Sequence, residues 1–236
     1  MIHVVRRAYT LSVSTTSFPD SDRFVAAIQP LLEARDVAAL AAYLDSNYTS
    51  EQLCGLLCVA DRDARKVAAL ALGLVGDASC IPSLVGRLRD TDAVINQMAE
   101  HALWSIWFRG GTPQANQELA LGARSLSDRE FDDALRRFSR ALILCPDFAE
   151  AYDQRGIAHY LQDHFEAALL DYQRTVELMP CHFSAWAGLG HCYAQLEMIP
   201  QAIEAYEQAR EISPHLDGIA EALGNLRRLA IRRQAD

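Results

Sequence analysis

The sequence predicts an all-α fold, an α-solenoid of stacked helical hairpins. Three observations predict it. Apolar residues from Phe24 onward recur at helical spacing. Glycine, alanine, an aromatic residue and proline return in the same order at a step of 34 residues through the C-terminal half. A weaker offset of 31 relates two segments of the N-terminal half.

The elements follow in order. Residues 1–20 are rich in Ser and Thr and read as a loose tail, with Val4, Tyr9, Leu11 and Val13 as a faint strand pattern. From Asp22 the period is helical through Phe24, Val25, Ile28, Leu31 and Leu32, with a kink or break expected at Pro30. A second helix covers Val37 to Leu44. Thr49 and Gln52 form a capping box that opens a third through Leu53, Leu56 and Leu57. Ala64 to Val75 follows, closed by Gly76. A short helix starts near Ile81 with Pro82 in its first turn, and another runs from about Asp92 to Phe108. Arg109-Gly110-Gly111-Thr112-Pro113 breaks the helical run and marks a boundary between a unit at 21–110 and one at 114–236. In the second unit, helices pair as 115–128 with 131–144, 149–162 with 165–178, and 183–196 with 199–212. A final helix over 216–233 caps the array, facing it with Ile219, Leu223, Leu226 and Ile231.

The step of 34 is carried by Trp186, Leu189, Gly190, Tyr193, Ala202, Tyr206 and Pro214, preceded by Tyr152, Gly156, Ala168, Tyr172 and Pro180, and before those by Gly122, Ala134, Phe138 and Pro146. One step forward from Gly190 lies Gly224. This pattern resembles the tetratricopeptide repeat (TPR), giving repeats at 115–148, 149–182 and 183–216. Glycine in a helix interior costs about 1 kcal/mol against alanine. It is tolerated where the missing side chain lets a partner helix approach. The aromatic residue fills the space one turn beyond the small alanine, and proline ends each second helix.

The N-terminal unit carries Val67-Ala68 with Ala71-Leu72, matched by Met98-Ala99 with Ala102-Leu103. With Gly73, Gly76-Asp77, Ile81-Pro82 and Leu88-Arg89-Asp90, this stretch resembles the short HEAT-like repeats first named for phycobiliprotein lyases. That resemblance implies helical stacking, and it supplies an alternative function, a lyase-like protein handling a tetrapyrrole.

Composition narrows the function classes. With 236 residues and half of them hydrophobic, the chain can bury a sizeable core, and modest glycine and proline argue against long disorder. A net charge of −9 argues against nucleic acid. Residues 114–236 carry 19 acidic and 12 basic side chains, so the repeat half favours neutral or basic partners. The longest apolar run, Val67 to Val75, is far short of a membrane span. No secretory signal is evident at the N-terminus. Cys54, Cys58, Cys80, Cys145, Cys181 and Cys192 form no CxxC and read as small buried hydrophobes in a reducing compartment. The expectation is a cytoplasmic protein that binds neither nucleic acid nor membrane.

No catalytic set, cofactor fingerprint or metal motif is apparent. Cys54 and Cys58 share a helix face but lack further ligands, and the neighbours Cys181–His182 and His191–Cys192 diverge on a helix. The chain therefore reads as a non-catalytic adaptor, with a structural subunit of an oligomer as a further alternative. The TPR resemblance places a peptide-binding groove on the first helix of each repeat. It maps to Asn116, Leu119 and Ala123; to Glu150, Asp153, Ile157 and Tyr160; and to Ser184, Ala187, His191 and Gln195. A peptide with apolar anchors and some basic residues fits this set. The carboxylate clamp of some TPR proteins needs cations, whereas the matching positions here are Leu119, Ala123, Gln154, Ser184 and Gly188, which disfavours that role.

Overall fold

The computed structural model describes residues 19–235; the tail readings at Val4, Tyr9, Leu11 and Val13 lie outside the described residues. Six helices, α1 (Ser21–Ala34), α2 (Val37–Asn47), α3 (Ser50–Leu56), α4 (Arg62–Val75), α5 (Ile81–Arg87) and α6 (Ala93–Phe108), precede the six that form the repeat hairpins, α7 (Pro113–Ser127), α8 (Phe131–Leu144), α9 (Ala149–Tyr160), α10 (Phe165–Leu178), α11 (Phe183–Gln195) and α12 (Ile199–Ile212), and α13 (Ile219–Ala235) follows them. The fold is all-α, with no strand among the described residues.

The N-terminal helices are started by side chains. Asp20, Asp36, Thr49, Asp61, Asp92 and Thr112 each accept a hydrogen bond from a backbone N–H in the first turn that follows. Thr49 and Gln52 form the reciprocal capping box expected from the sequence. Pro30 does not break α1, which runs on to Ala34. Phe24 and Ile28 are buried before the proline and hold the helix onto its neighbours, so packing offsets the lost backbone bond.

The offset of 31 corresponds to α4 and α6, which lie side by side. Arg62 at the start of α4 pairs with Asp92 at the start of α6. Arg109 just after α6 donates to the carbonyls of Gly73 (2.7 Å) and Gly76 (3.1 Å) at the far end of α4. The two helices therefore run parallel, and Ala68, Ala71 and Leu72 are buried with Ala99, Ala102 and Leu103 in one core.

In the repeat half, the turn between the paired helices is the same three times. Arg129, Asp163 and Glu197, spaced by 34, adopt left-handed backbone with φ of 62°, 58° and 58°. The following N–H closes the turn each time: Glu130 to the Ser125 carbonyl (2.8 Å), His164 to His159 (3.0 Å) and Met198 to Tyr193 (2.8 Å). Helices α8, α9, α10 and α12 begin without a side-chain cap. These backbone bonds and tertiary packing hold them instead.

The glycines lie under aromatic rings. A Cβ added to Gly122 would stand 2.5 Å from the Phe138 ring, one on Gly190 2.5 Å from Tyr206, and one on Gly156 3.0 Å from Tyr172. Tyr172 also crosses to the next repeat, where a Cβ on Gly188 would come within 2.5 Å of it. Gly224 is different: a Cβ there would meet only the Arg228 side chain, at 3.6 Å. The capping helix α13 begins at Ile219 and buries Ile219, Leu223 and Leu226. Ile231 does not join that face and is 68% exposed, a correction to the sequence reading. The helical period runs 219, 223, 226, 230, and Ala230 takes the place assigned to Ile231.

Replacing Gly190 with Leu should lower stability by about 1–3 kcal/mol through overpacking against Tyr206. Gly224→Ala should be neutral or gain up to about 1 kcal/mol from helix propensity. Urea unfolding of both variants checks this contrast, and equal effects would show that the glycine–ring contacts do not govern packing.

Candidate functional site

Helices α9 and α11 are the first helices of the second and third repeats. Glu150 and Asp153 lie in the first turns of α9, and His182 immediately precedes α11. The position of His182 is filled by Phe148 one repeat earlier and Leu216 one repeat later, so an imidazole occupies a slot that is otherwise apolar. His182 caps α11 by accepting the Ala185 N–H at its Nδ1 (3.3 Å).

Helix α6 is seated on this region. The Trp107 ring stacks on the His182 imidazole with centroids 4.1 Å apart and planes 21° apart. Trp104 meets His182 and Phe183 edge-on at 5.9 and 5.8 Å. Phe183, Met179, Cys181, Ile212 and Leu216 thereby join the core of the N-terminal helices, and Arg89 donates to the Glu211 carbonyl. The linking turn is tied down as well. Asn116 accepts from the Gly111 N–H (2.9 Å) and donates to the Arg109 carbonyl (3.2 Å). A side chain on Gly111 would stand 2.6 Å from the Phe148 ring.

Under the tryptophans lies a buried polar cluster. His182 Nε2 is 3.1 Å from Glu150 Oε2, and Nδ1 is 3.8 Å from Asp153 Oδ1. Gln154 donates to Glu150 Oε1 at 2.8 Å. Neither oxygen of Asp153 has a hydrogen-bond partner among the described residues. The Ser184 hydroxyl lies close enough to favour its charged form without meeting hydrogen-bond geometry. Loss of water pushes the Glu150 carboxyl up to about 8 and that of Asp153 up to about 7, and holds His182 below its ordinary value. Two carboxylates thus share one imidazole, with no arginine or lysine among the described residues paired to either. Glu150 also lines a cavity of about 660 Å³, walled by Trp107, Phe148, Ile106, Leu178 and Arg109, between α6 and the repeats.

The residues assigned to the groove from the sequence separate into three groups. Leu119 is fully buried in the first repeat's core, and Asn116 braces the linking turn. Glu150 and Asp153, at 1% and 0% exposure, lie beneath α6. For Leu119, Glu150 and Asp153 the solvent-facing reading is corrected, since Leu119 is covered by its own repeat and the two carboxylates by α6, whereas Asn116 is half-buried. Ala123, Ile157, Tyr160, Ser184 and Ala187 are half-buried, and His191 and Gln195 are exposed. Tyr160 and His191 face each other across α9 and α11 with rings 6.0 Å apart, and the Tyr206 hydroxyl shares a 2.6 Å hydrogen bond with His191 Nδ1. The half of the face toward the ends of α9 and α11 therefore stays open. Sequence reasoning missed His182, Trp104 and Trp107. The polar residue in a phenylalanine slot was the available signal.

Trp107→Ala removes the ring that covers the cluster and should cost about 3–5 kcal/mol. Thermal unfolding checks it, and a cost below about 1 kcal/mol would contradict docking of α6 on the repeats.

Residues 183–216 match the family model for the tetratricopeptide repeat. The chain is 26% identical over 153 residues to the chloroplastic tetratricopeptide repeat domain-containing protein PYG7 of Arabidopsis thaliana, covering 62% of this chain and 48% of that protein. It is 29% identical over 96 residues to anaphase-promoting complex subunit 3 of Schizosaccharomyces pombe, covering 41% of this chain and 14% of that protein. The chain thus spans less than half the length of these two relatives. The crystal structure of the Sgt2 TPR domain from Aspergillus fumigatus superposes with a TM-score of 0.51 at 21% identity, over 53% of this chain and 85% of that one. The repeat half therefore has the TPR fold. No helix among the described residues is long and apolar enough to cross a membrane.

Proposed function

We propose that the protein is a non-catalytic interaction adaptor that holds a peptide or protein segment in the open part of its TPR face. The floor of that site is Ile157, Tyr160, Ser184, Ala187, His191 and Gln195. The observation that carries the reading is the seating of α6: the same face accepts a helix through aromatic anchors at its other end. This is helix-in-groove recognition within one chain. The similarity to other TPR proteins supports the role without identifying the partner.

The preferred ligand has apolar anchors and is neutral or basic, in keeping with the acidic repeat half. Chaperone-type carboxylate clamping is disfavoured. Of the matching positions, Leu119 is core, Gln154 is engaged with Glu150, and Gly188 lies under Tyr172. HEAT-like stacking of the N-terminal helices belongs to the same reading, as the scaffold that sets α6 in place.

Affinity purification with the full chain tests the site. Tyr160→Ala should remove the bound partner, while Leu170→Ala, on a side chain 67% exposed elsewhere on the array, should keep it. Identical partner recovery from both would overturn the assignment. A pH titration of the captured peptide gives a second check. Although the residue as a whole is exposed, its ring is packed against Tyr160 and Tyr206, and this partial loss of water holds His191 below the ordinary histidine value of about 6.5. Its protonation adds positive charge to a site for basic ligands. Affinity should therefore be level above about pH 6.5 and fall only below it; a fall already complete at neutral pH would contradict the proposal.

A further inference from the structure

Glu150, Asp153 and His182 each offer a donor atom within 4.8 Å of the other two, all three fully buried. An acidic cluster alone would mean little, but two further observations point to a ligand. Asp153 is enclosed, and neither of its oxygens has a hydrogen-bond partner among the described residues. An ionised carboxylate in that position is strongly disfavoured unless a cation or a proton reaches it. The cluster is also not sealed: Glu150 forms part of the wall of the 660 Å³ cavity beside Trp107. That cavity supplies both an entry path and room for a non-protein ligand.

We propose that Glu150, Asp153 and His182 bind one divalent transition-metal ion, of the zinc and cobalt class, where the second and third repeats meet α6. One imidazole with two carboxylates is a donor set these ions take, with a fourth position left to water. Calcium and magnesium are disfavoured because they seek six or more oxygen donors. Gln154, through its 2.8 Å bond to Glu150 Oε1, orients that carboxylate from outside. The ring plane of His182 is set by Trp107 on its face and by Ala185 at Nδ1. Tetrahedral coordination at about 2.0–2.2 Å places donors roughly 3.4 Å apart. With Nδ1 taken by the Ala185 N–H, Nε2 is the free donor; it lies 3.1 Å from Glu150 Oε2, and the three donor atoms lie within 4.8 Å of one another, so rotations of the carboxylates complete the site. The bound ion would tie α9 to the start of α11 directly beneath Trp107, and so strengthen the seat of α6.

The test uses the full chain freed of metal with a chelator and titrated with Co²⁺. Six free cysteines are present, so the spectrum must separate thiolate from nitrogen and oxygen ligation. The expected result is one Co²⁺ per chain, d–d absorption without a thiolate-to-cobalt charge-transfer band, a raised melting midpoint, and affinity weakened at least about tenfold in both Asp153→Asn and Glu150→Gln. Both variants keep side-chain shape and remove a carboxylate ligand, and circular dichroism confirms that they fold. Should one fail to fold, the other decides. No stoichiometric uptake, a thiolate band, or affinity unchanged in the folded variants overturns the site.

Discussion

Everything in the repeat half depends on the space left by missing side chains. Phe138 lies over Gly122 and Tyr206 over Gly190, at separations that leave no room for a methyl group. Tyr172 performs this twice, against Gly156 in its own repeat and Gly188 in the next. Such a ring sets both the spacing within a hairpin and the register between hairpins. Because protein interiors are packed to crystal density, a constraint of this kind fixes helix positions rather than merely favouring them. The left-handed turns at Arg129, Asp163 and Glu197 follow from the same geometry. None is glycine or asparagine, so the hairpin imposes the conformation on the residue.

The fixed register aligns the starts of α9 and α11, and α6 rests there. The tryptophans of α6 bury polar residues that would otherwise line a groove. The array is thereby divided along its length: one end is occupied by the chain's own helix, the other stays open around Tyr160 and His191. The Gly110-Gly111 turn joins α6 to α7 tightly, with Asn116 and Phe148 closing on it. A turn of that construction holds the N-terminal helices against the repeats. The proposed adaptor function uses the open end, and the proposed metal site lies beneath the occupied one.

Much of this was legible in the sequence. The seam could be read because the same residue types return every 34 positions, and packing leaves those positions little choice. The parallel pair α4 and α6 could be read from two short segments of small and branched residues. The turn conformation could not, since backbone hydrogen bonds set it and Arg129, Asp163 and Glu197 share no chemistry. Ile231 was misplaced because its hydrophobicity outweighed a one-residue error in phase. The candidate site was half legible. Glu150 and Asp153 were read as lining an open groove, but they are buried, and their cover comes from Trp104 and Trp107, which are 43 or more residues away in sequence. Tryptophans in an amphipathic helix read equally as core of their own unit. Only the tertiary arrangement shows that they also reach the neighbouring one.

The most direct measurement of the central constraint is a double-mutant cycle between Gly190→Ala and Tyr206→Leu, followed by chemical unfolding. If the missing side chain exists to admit the ring, alanine at 190 is destabilising beside Tyr206 but neutral or stabilising once the ring is trimmed, with a coupling of about 0.5–3 kcal/mol. Additive effects, with coupling indistinguishable from zero, would contradict the claim that glycine and ring together set the register of the array.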